Sequence, residues 1–243
     1  MAYELISVCA SYGELPVLDG LSLRFPSQSI TVVLGPSGCG KSTLLNVIAG
    51  LKAVDSGSRS GFEGARFSYA FQEPRLLPWM RARDNAVFAL LGALPRPEAC
   101  ARVDRFMRAA GLAEAANMLP SALSGGMKQR LSLVRAFAFP SEVLLLDEAF
   151  QAVDLRMKLE LMDIFLELWR EERRTVICVT HDIDEAVYLA DRVVALSDRP
   201  ARVLDEFDVE LPRRDRSLGA AAAMEAEARL YRAVLSPSKP PRR

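Results

Sequence analysis

The stretch "SITVVLGPSGCGKSTLLNVIAG", residues 29–50, decides the architecture. Residues 29–35, "SITVVLG", read as a strand that runs into a glycine-rich loop. Residues 41–50, "KSTLLNVIAG", carry apolar side chains at helical spacing and stop at Gly50. Strand, loop and helix in that order fit G-x-x-x-x-G-K-S, with Gly35, Gly40, Lys41 and Ser42 at the fixed positions. Glycines let such a loop close around phosphate oxygens with backbone N–H groups pointing inward, and the helix adds its positive N-terminal end. Pro36, Ser37, Gly38 and Cys39 complete the cradle. Lys41 is placed for β- and γ-phosphates, the Ser42 hydroxyl for magnesium, and Thr43 for the α-phosphate. The ligand this implies is ATP with Mg2+; the competing reading is a chance turn.

Working outward, "LLLDEAFQAVD", residues 144–154, sends a buried-type strand into two adjacent acids. The plain reading of Asp147 and Glu148 is a strand end facing solvent. The functional reading takes this strand as a parallel neighbour of the first, so that both end at the sheet edge where ligands bind. Asp147 then supports magnesium, and Glu148 polarises the water that attacks the γ-phosphate. "RTVICVTH", residues 174–181, is a third strand and ends in His181, the chain's single histidine. His181 is either structural or a γ-phosphate contact. In "LSGGMKQR", residues 123–130, Ser124, Gly125 and Gly126 precede a helix and form a second anion-binding N-terminus. One ATP does not need two such sites on one protomer. Two copies arranged head to tail do.

Together these motifs resemble the ATP-binding subunits of ABC transporters over roughly residues 3–200. "GPSGCGKST" is similar to Walker A, "LSGGMKQR" to the signature, and "LLLDE" to Walker B. Gln72 in "FQEPRLLPW" is similar to the Q-loop glutamine, His181 to the H-loop histidine, and Asp154 to the D-loop aspartate. Tyr12 sits where the family stacks an aromatic on adenine. The resemblance implies an α/β P-loop NTPase: a RecA-like core with a mostly parallel sheet, an N-terminal antiparallel β part and an inserted α-helical subdomain. It implies a homodimer of nucleotide-binding subunits, two membrane permease subunits, and an external solute-binding protein reached through the permease. It makes Glu148, His181 and Gln72 catalytic or switch residues, with Gln72 also at the metal. Trp79, Arg81 and Asp84 would line the permease groove, with a core role for Trp79 left open. "FQEPRLLPW" and "LSDRPARVLDEFDVELPRRDR" resemble importers of nitrate, sulfonates and taurine, a pattern that importers of pyrimidine-type thiamine precursors largely share, and the resemblance implies a place at the cytoplasmic face of the bacterial inner membrane.

Two departures from the family stand out. "DEAF" has Ala149 where proline is usual, which relaxes the backbone limits on Glu148. "QAVD" has Gln151 and Val153, and Gln151 is bulky where the opposite copy approaches. They keep open a binding subunit with weak or lost hydrolysis. An exporter ATPase, a nucleic-acid maintenance ATPase and a small-acceptor kinase are the competing classes. Cys39 lies beside Lys41 and a helix N-terminus, surroundings that can lower a thiol pKa; alkylation there is expected to block ATP binding, with Mg-ATP protecting it, and its native role is expected to be small filler rather than redox sensing.

Bulk properties agree with this reading. The 243 residues suffice for one large α/β domain with a smaller lobe, and 50% apolar content supplies a core. Lys plus Arg and Asp plus Glu are 31 each, so charge makes no case for nucleic acid. Cysteines 9, 39, 100 and 178 form no C-x-x-C pair, which with one histidine weakens any zinc reading and fits a reducing compartment. The start, "MAYELISVCASYGE", lacks a signal-peptide pattern, and no apolar run is long enough to span a bilayer.

Further strands are expected near 4–10, 21–25, 65–74 and 192–197, and a helix over 155–172. Alanine-rich helical segments fill 75–138, and a helix with a disordered basic end closes the chain. The expected domains are 1–72 and 139–212 for the core, 73–138 for the helical subdomain and 213–243 for the tail.

Overall fold

The structure, a computed structural model, describes residues 2–151, 154–212, 216 and 223–235. In chain order the elements are β1 (Ala2–Tyr12), β2 (Leu15–Pro26), β3 (Ile30–Leu34), α1 (Lys41–Ile48), β4 (Ser56–Ser60), β5 (Phe67–Ala70), α2 (Ala82–Leu90), α3 (Arg96–Ala109), α4 (Gly125–Ala138), β6 (Val143–Asp147), α5 (Leu155–Glu171), β7 (Thr175–Thr180), α6 (Ile183–Leu189), β8 (Arg192–Leu196), β9 (Val203–Asp208) and α7 (Ala223–Leu235). They form two compact units, Met1–Ala65 with Thr175–Arg243, and Arg66–Arg174.

The first unit contains an antiparallel sheet in the order β2-β1-β4. Its hairpin closes at "YGEL", with Tyr12 opposite Leu15. β4, "SGSRS", carries no apolar alternation; it is held to β1 by backbone pairing, so periodicity could not predict it. The parallel part places β3 between β7 and β8, and β9 adds antiparallel to β8. All five residues of β3 and all six of β7 are buried, as expected for parallel strands covered on both faces. α1 packs on β7, α6 on β3, and α7 on α6 and β8. The neighbours of β3 are therefore β7 and β8. The expected pairing of the 29–35 strand with the strand ending at Asp147 is not found, because β7 and β8 occupy both edges of β3. The expected basic end beyond 235 lies outside the described residues.

In the second unit, β5 and β6 pair in parallel from Phe67 opposite Val143 to Ala70 opposite Leu146. The strand expected over 65–74 is regular only over Phe67–Ala70. The segment 75–138 contains α2, α3 and α4 with two short 3-10 turns, Ala113–Ala115 and Pro120–Ala122. α5 buries Leu161, Met162, Phe165, Leu166, Leu168 and Trp169, one apolar stripe at helical spacing. Phe106, Phe137, Phe165 and Phe150 form a ring chain from α3 through α4 and α5, with successive centroids 6.2, 5.6 and 5.6 Å apart.

Candidate nucleotide-binding site

In the first unit the loop 35–40 leaves β3 and turns into α1. The Gly35 N–H donates to the Thr180 carbonyl, so the loop and the His181 turn exit the sheet side by side. Gly40 has a φ of 122°, and a Cβ there would stand 2.7 Å from Val17 Cγ1, so the loop closes only with glycine at that point. No side chain caps α1 and no acid lies in its first turn, which leaves its positive end to a ligand. Lys41 is buried, and its ammonium donates to the Gly35 and Pro36 carbonyls at 2.8 and 2.9 Å. These bonds hold the ammonium at the loop, beside a helix N-terminus that favours an anion. Ser37, Gly38 and Ser42 are exposed and Thr43 is buried. Tyr12 is 54% exposed at the end of β1, and Lys52 Nζ lies 4.4 Å from its ring centroid while donating to the Ser11 carbonyl.

At Cys39 the surroundings do not lower the thiol pKa. Burial pushes its thiol up, and the nearby Lys41 charge does not offset that. The side chain is only 2% exposed, which agrees with a filler. His181 is exposed at the end of β7, ahead of a capped helix: Asp182 accepts from the Glu185 N–H at 3.1 Å, and Thr180 donates to the buried Glu185 carboxylate at 2.5 Å. Sequence reading missed Thr180 and Glu185, although Asp182 and Glu185 stand at capping-box spacing.

The second unit brings Gln72 and the acid pair to one edge, because β5 and β6 run parallel with Ala70 opposite Leu146. Asp147 is half-buried and accepts from the Tyr69 hydroxyl at 3.2 Å. Glu148 has a φ of 48° and its carbonyl accepts from the Gln151 N–H. Gln72 is exposed, and its carbonyl is gripped by Gln129 Nε2 at 2.7 Å. Ser124 is the N-cap of α4 and accepts from the Met127 N–H at 3.2 Å. Gly125 is exposed, whereas a Cβ on Gly126 would collide with the Met157 side chain. Asp154 caps α5 by accepting from the Met157 N–H at 3.1 Å. Val153 lies outside the described residues.

Trp79 is 72% exposed, which removes the core reading. Its loop is pinned by the buried Asn85, whose side chain accepts from the Leu77 N–H and donates to the Leu77 and Met80 carbonyls. Asn85 and Gln129 escaped the sequence reading because they bond to backbone, which no side-chain pattern announces. Among the described residues no group of three or more His, Cys, Asp or Glu could hold a metal. Magnesium does not require one: it keeps waters, accepts one or two carboxylates and takes substrate phosphates, so a hydroxyl such as that of Ser42 in the first unit and a carboxylate such as that of Asp147 in the second are each chemically suited to it. Among the described residues no helix is long and apolar enough to cross a membrane.

A family model described as ABC transporter matches residues 18–151. The aliphatic sulfonates import ATP-binding protein SsuB 2 of Burkholderia cenocepacia is 43% identical over 222 residues, covering 88% of this chain and 81% of that protein. SsuB of Mycobacterium avium is 45% identical over 215 residues, covering 88% and 84%. Among solved structures, the dimeric structure of MJ0796, a bacterial ABC transporter cassette, covers 86% of this chain and 100% of that one, with a TM-score of 0.73 at 27% identity.

Proposed function

The chain belongs to the ABC transporter family as the ATP-binding, ATP-hydrolysing subunit of an importer, and from that premise we propose that ATP-driven closure of its homodimer powers uptake through two separate permease subunits. The solute is a small anion of the sulfonate, taurine or nitrate kind, delivered to the permease by an external binding protein. The likeness to two aliphatic sulfonate import proteins supports the first of these. The chain works at the cytoplasmic face of the membrane, held there by the permease, and takes no nucleic acid. Trp79, Arg81 and Asp84 contribute to the surface that meets the permease.

The observation that carries this reading is the phosphate loop, where the buried Lys41 ammonium is held by the Gly35 and Pro36 carbonyls at an uncapped helix N-terminus. With nucleotide bound, Lys41 exchanges those carbonyls for phosphate oxygens and the N–H groups of 35–43 wrap the rest. Tyr12 stacks on the base. Ser42, Gln72 and Asp147 would hold magnesium, which would supply charge neutralisation at the phosphates. Glu148 orients the attacking water and takes its proton, and His181 steadies that water against the γ-phosphate. Ser124, Gly125, Gly126 and Asp154 of the other copy close over the same nucleotide. Gln151 stands near that seam.

The test is ATP hydrolysis by the purified chain beside Glu148→Gln, with oligomeric state followed in Mg-ATP. The wild type should turn over and remain mostly monomeric. The variant should bind ATP, lose turnover and accumulate as a dimer. A wild type that dimerises on ATP without turnover would instead make this a binding subunit. Failure of both forms to bind ATP would sink the proposal.

A further inference from the structure

A run of stacked side chains in the second unit joins Asp147 to the turn that carries Gln72. Tyr69 lies on β5 and donates its hydroxyl to Asp147 Oδ2 on β6 at 3.2 Å. Its ring stacks on Phe71, with centroids 4.1 Å apart and planes 16° from parallel. The Arg75 guanidinium stands 3.8 Å from the Phe71 centroid. A face covered by a ring at that distance has no room for a guanidinium, so Tyr69 and Arg75 sandwich Phe71.

The far end of the run is fixed. Arg75 has a φ of 47°, a left-handed conformation that a non-glycine residue adopts only when its surroundings impose it. Arg135 on α4 imposes it by donating to the Pro74 and Arg75 carbonyls at 2.6 and 2.9 Å. Gln129, earlier on the same helix, holds the Gln72 carbonyl. The 72–75 turn is therefore latched to α4 at both ends. No step of the proposed reaction uses Tyr69, Phe71 or Arg75.

We propose that Tyr69 is a positioning residue for Asp147, and that Phe71 and Arg75 tie it to the 72–75 turn, so that the turn carrying Gln72 also orients the metal-side carboxylate. This rests on the reading of Asp147 as magnesium support. A phenol fixed on Oδ2 sets the plane of the carboxylate, and with it the direction in which the group meets the ion's water shell. Outer hydrogen-bond partners of this kind tune metal affinity about 10–100-fold.

The experiment needs no turnover: equilibrium binding of a fluorescent ATP derivative to the full chain, titrated with magnesium, and again in EDTA. Tyr69→Phe keeps the ring and loses the hydroxyl. Its magnesium midpoint should rise about tenfold, with affinity in EDTA unchanged. Arg75 is exposed, so Arg75→Gln folds; it keeps the hydroxyl but not the clamp, and should move the midpoint in the same direction by roughly threefold. Asp147→Asn is the reference and should abolish the magnesium dependence. If Asp147→Asn does so while Tyr69→Phe keeps the wild-type midpoint, the positioning role is wrong and the Asp147 reading stands. If Tyr69→Phe weakens binding equally with and without magnesium, the residue is merely structural and the proposal fails. If Asp147→Asn keeps the wild-type midpoint, the metal reading falls and takes the proposal with it.

Discussion

Glu148 occupies a backbone conformation that L residues avoid, with φ at 48° in a turn closed by the Gln151 N–H on its carbonyl. A side chain there costs about 1–2 kcal/mol relative to glycine, because Cβ crowds the following carbonyl. Phe150, two residues on, is fully buried against Phe165 and holds the turn in place. Strain of this kind persists where the surroundings over-determine the backbone and the residue has work to do. Ala149 permits the conformation without the limits that a following proline would add. The consequence is measurable by comparing two variants at this position. Glu148→Gly should be more stable than Glu148→Ala by about 1 kcal/mol, roughly 2–4 °C in thermal midpoint. Equal midpoints would mean that the turn stores no strain. Cys39 shows the opposite balance at a residue: the Lys41 charge lies close, but burial outweighs it and the thiol is pushed up.

The helical elements are joined by charge as well as by the phenylalanine chain. Glu172, the C-cap of α5, receives Arg102 at 2.5 and 2.6 Å, Arg105 at 3.1 Å and Arg174 at 3.1 Å. Two of these arginines also hold the end of α4: Arg102 donates to the Ala138 carbonyl, and Arg174 to those of Phe137 and Phe139. Burial pushes the Glu172 carboxyl up, but the hydrogen bonds from Arg102 and the charges of Arg174, Arg102 and Arg105 outweigh it, so the group sits below the ordinary Glu range. A depressed folded pKa stabilises above the unfolded value and loses that contribution as pH falls through the folded one. Glu172→Gln should therefore be less stable than wild type at neutral pH, by about 1 kcal/mol given the partial exposure of the pair. The gap should close as pH drops below the usual Glu range. A gap that is constant across that range would show that shape, not charge, sets the contribution. None of this cluster was legible in the sequence, since its partners come from three separated segments. The phosphate loop, the acid pair after β6 and the cap of α4 were legible, because each is a local pattern with one conformational solution. β4 and the Tyr69–Asp147 bond were not, because they depend on which strands lie side by side, whereas α6 was missed although its capping-box spacing is a local signal.

At the scale of the whole molecule, binding and assembly share one free energy. A chain with 31 basic and 31 acidic residues carries no net charge to oppose the meeting of two copies. The proposed closure would then be governed by nucleotide and by mass action. Anything that binds only the folded state stabilises it, by about 2.7 kcal/mol at a hundredfold excess over Kd. If Mg-ATP also joins two copies, unfolding must separate them, and the thermal midpoint becomes dependent on protein concentration. Glu148→Gln is the form in which to see it, since on the proposed role of Glu148 its nucleotide should not be consumed. In Mg-ATP, each tenfold rise in its concentration adds about 1.4 kcal/mol per dimer, a shift of roughly 1–3 °C for chains of this size. Without nucleotide the midpoint should not move with concentration. Scanning calorimetry over a wide concentration range decides the matter. A midpoint that rises on adding Mg-ATP yet stays independent of concentration would mean that nucleotide binds within one copy only. The second anion-binding end at Ser124 would then have no use in assembly, and its hydroxyl would serve only the Met127 N–H that it caps.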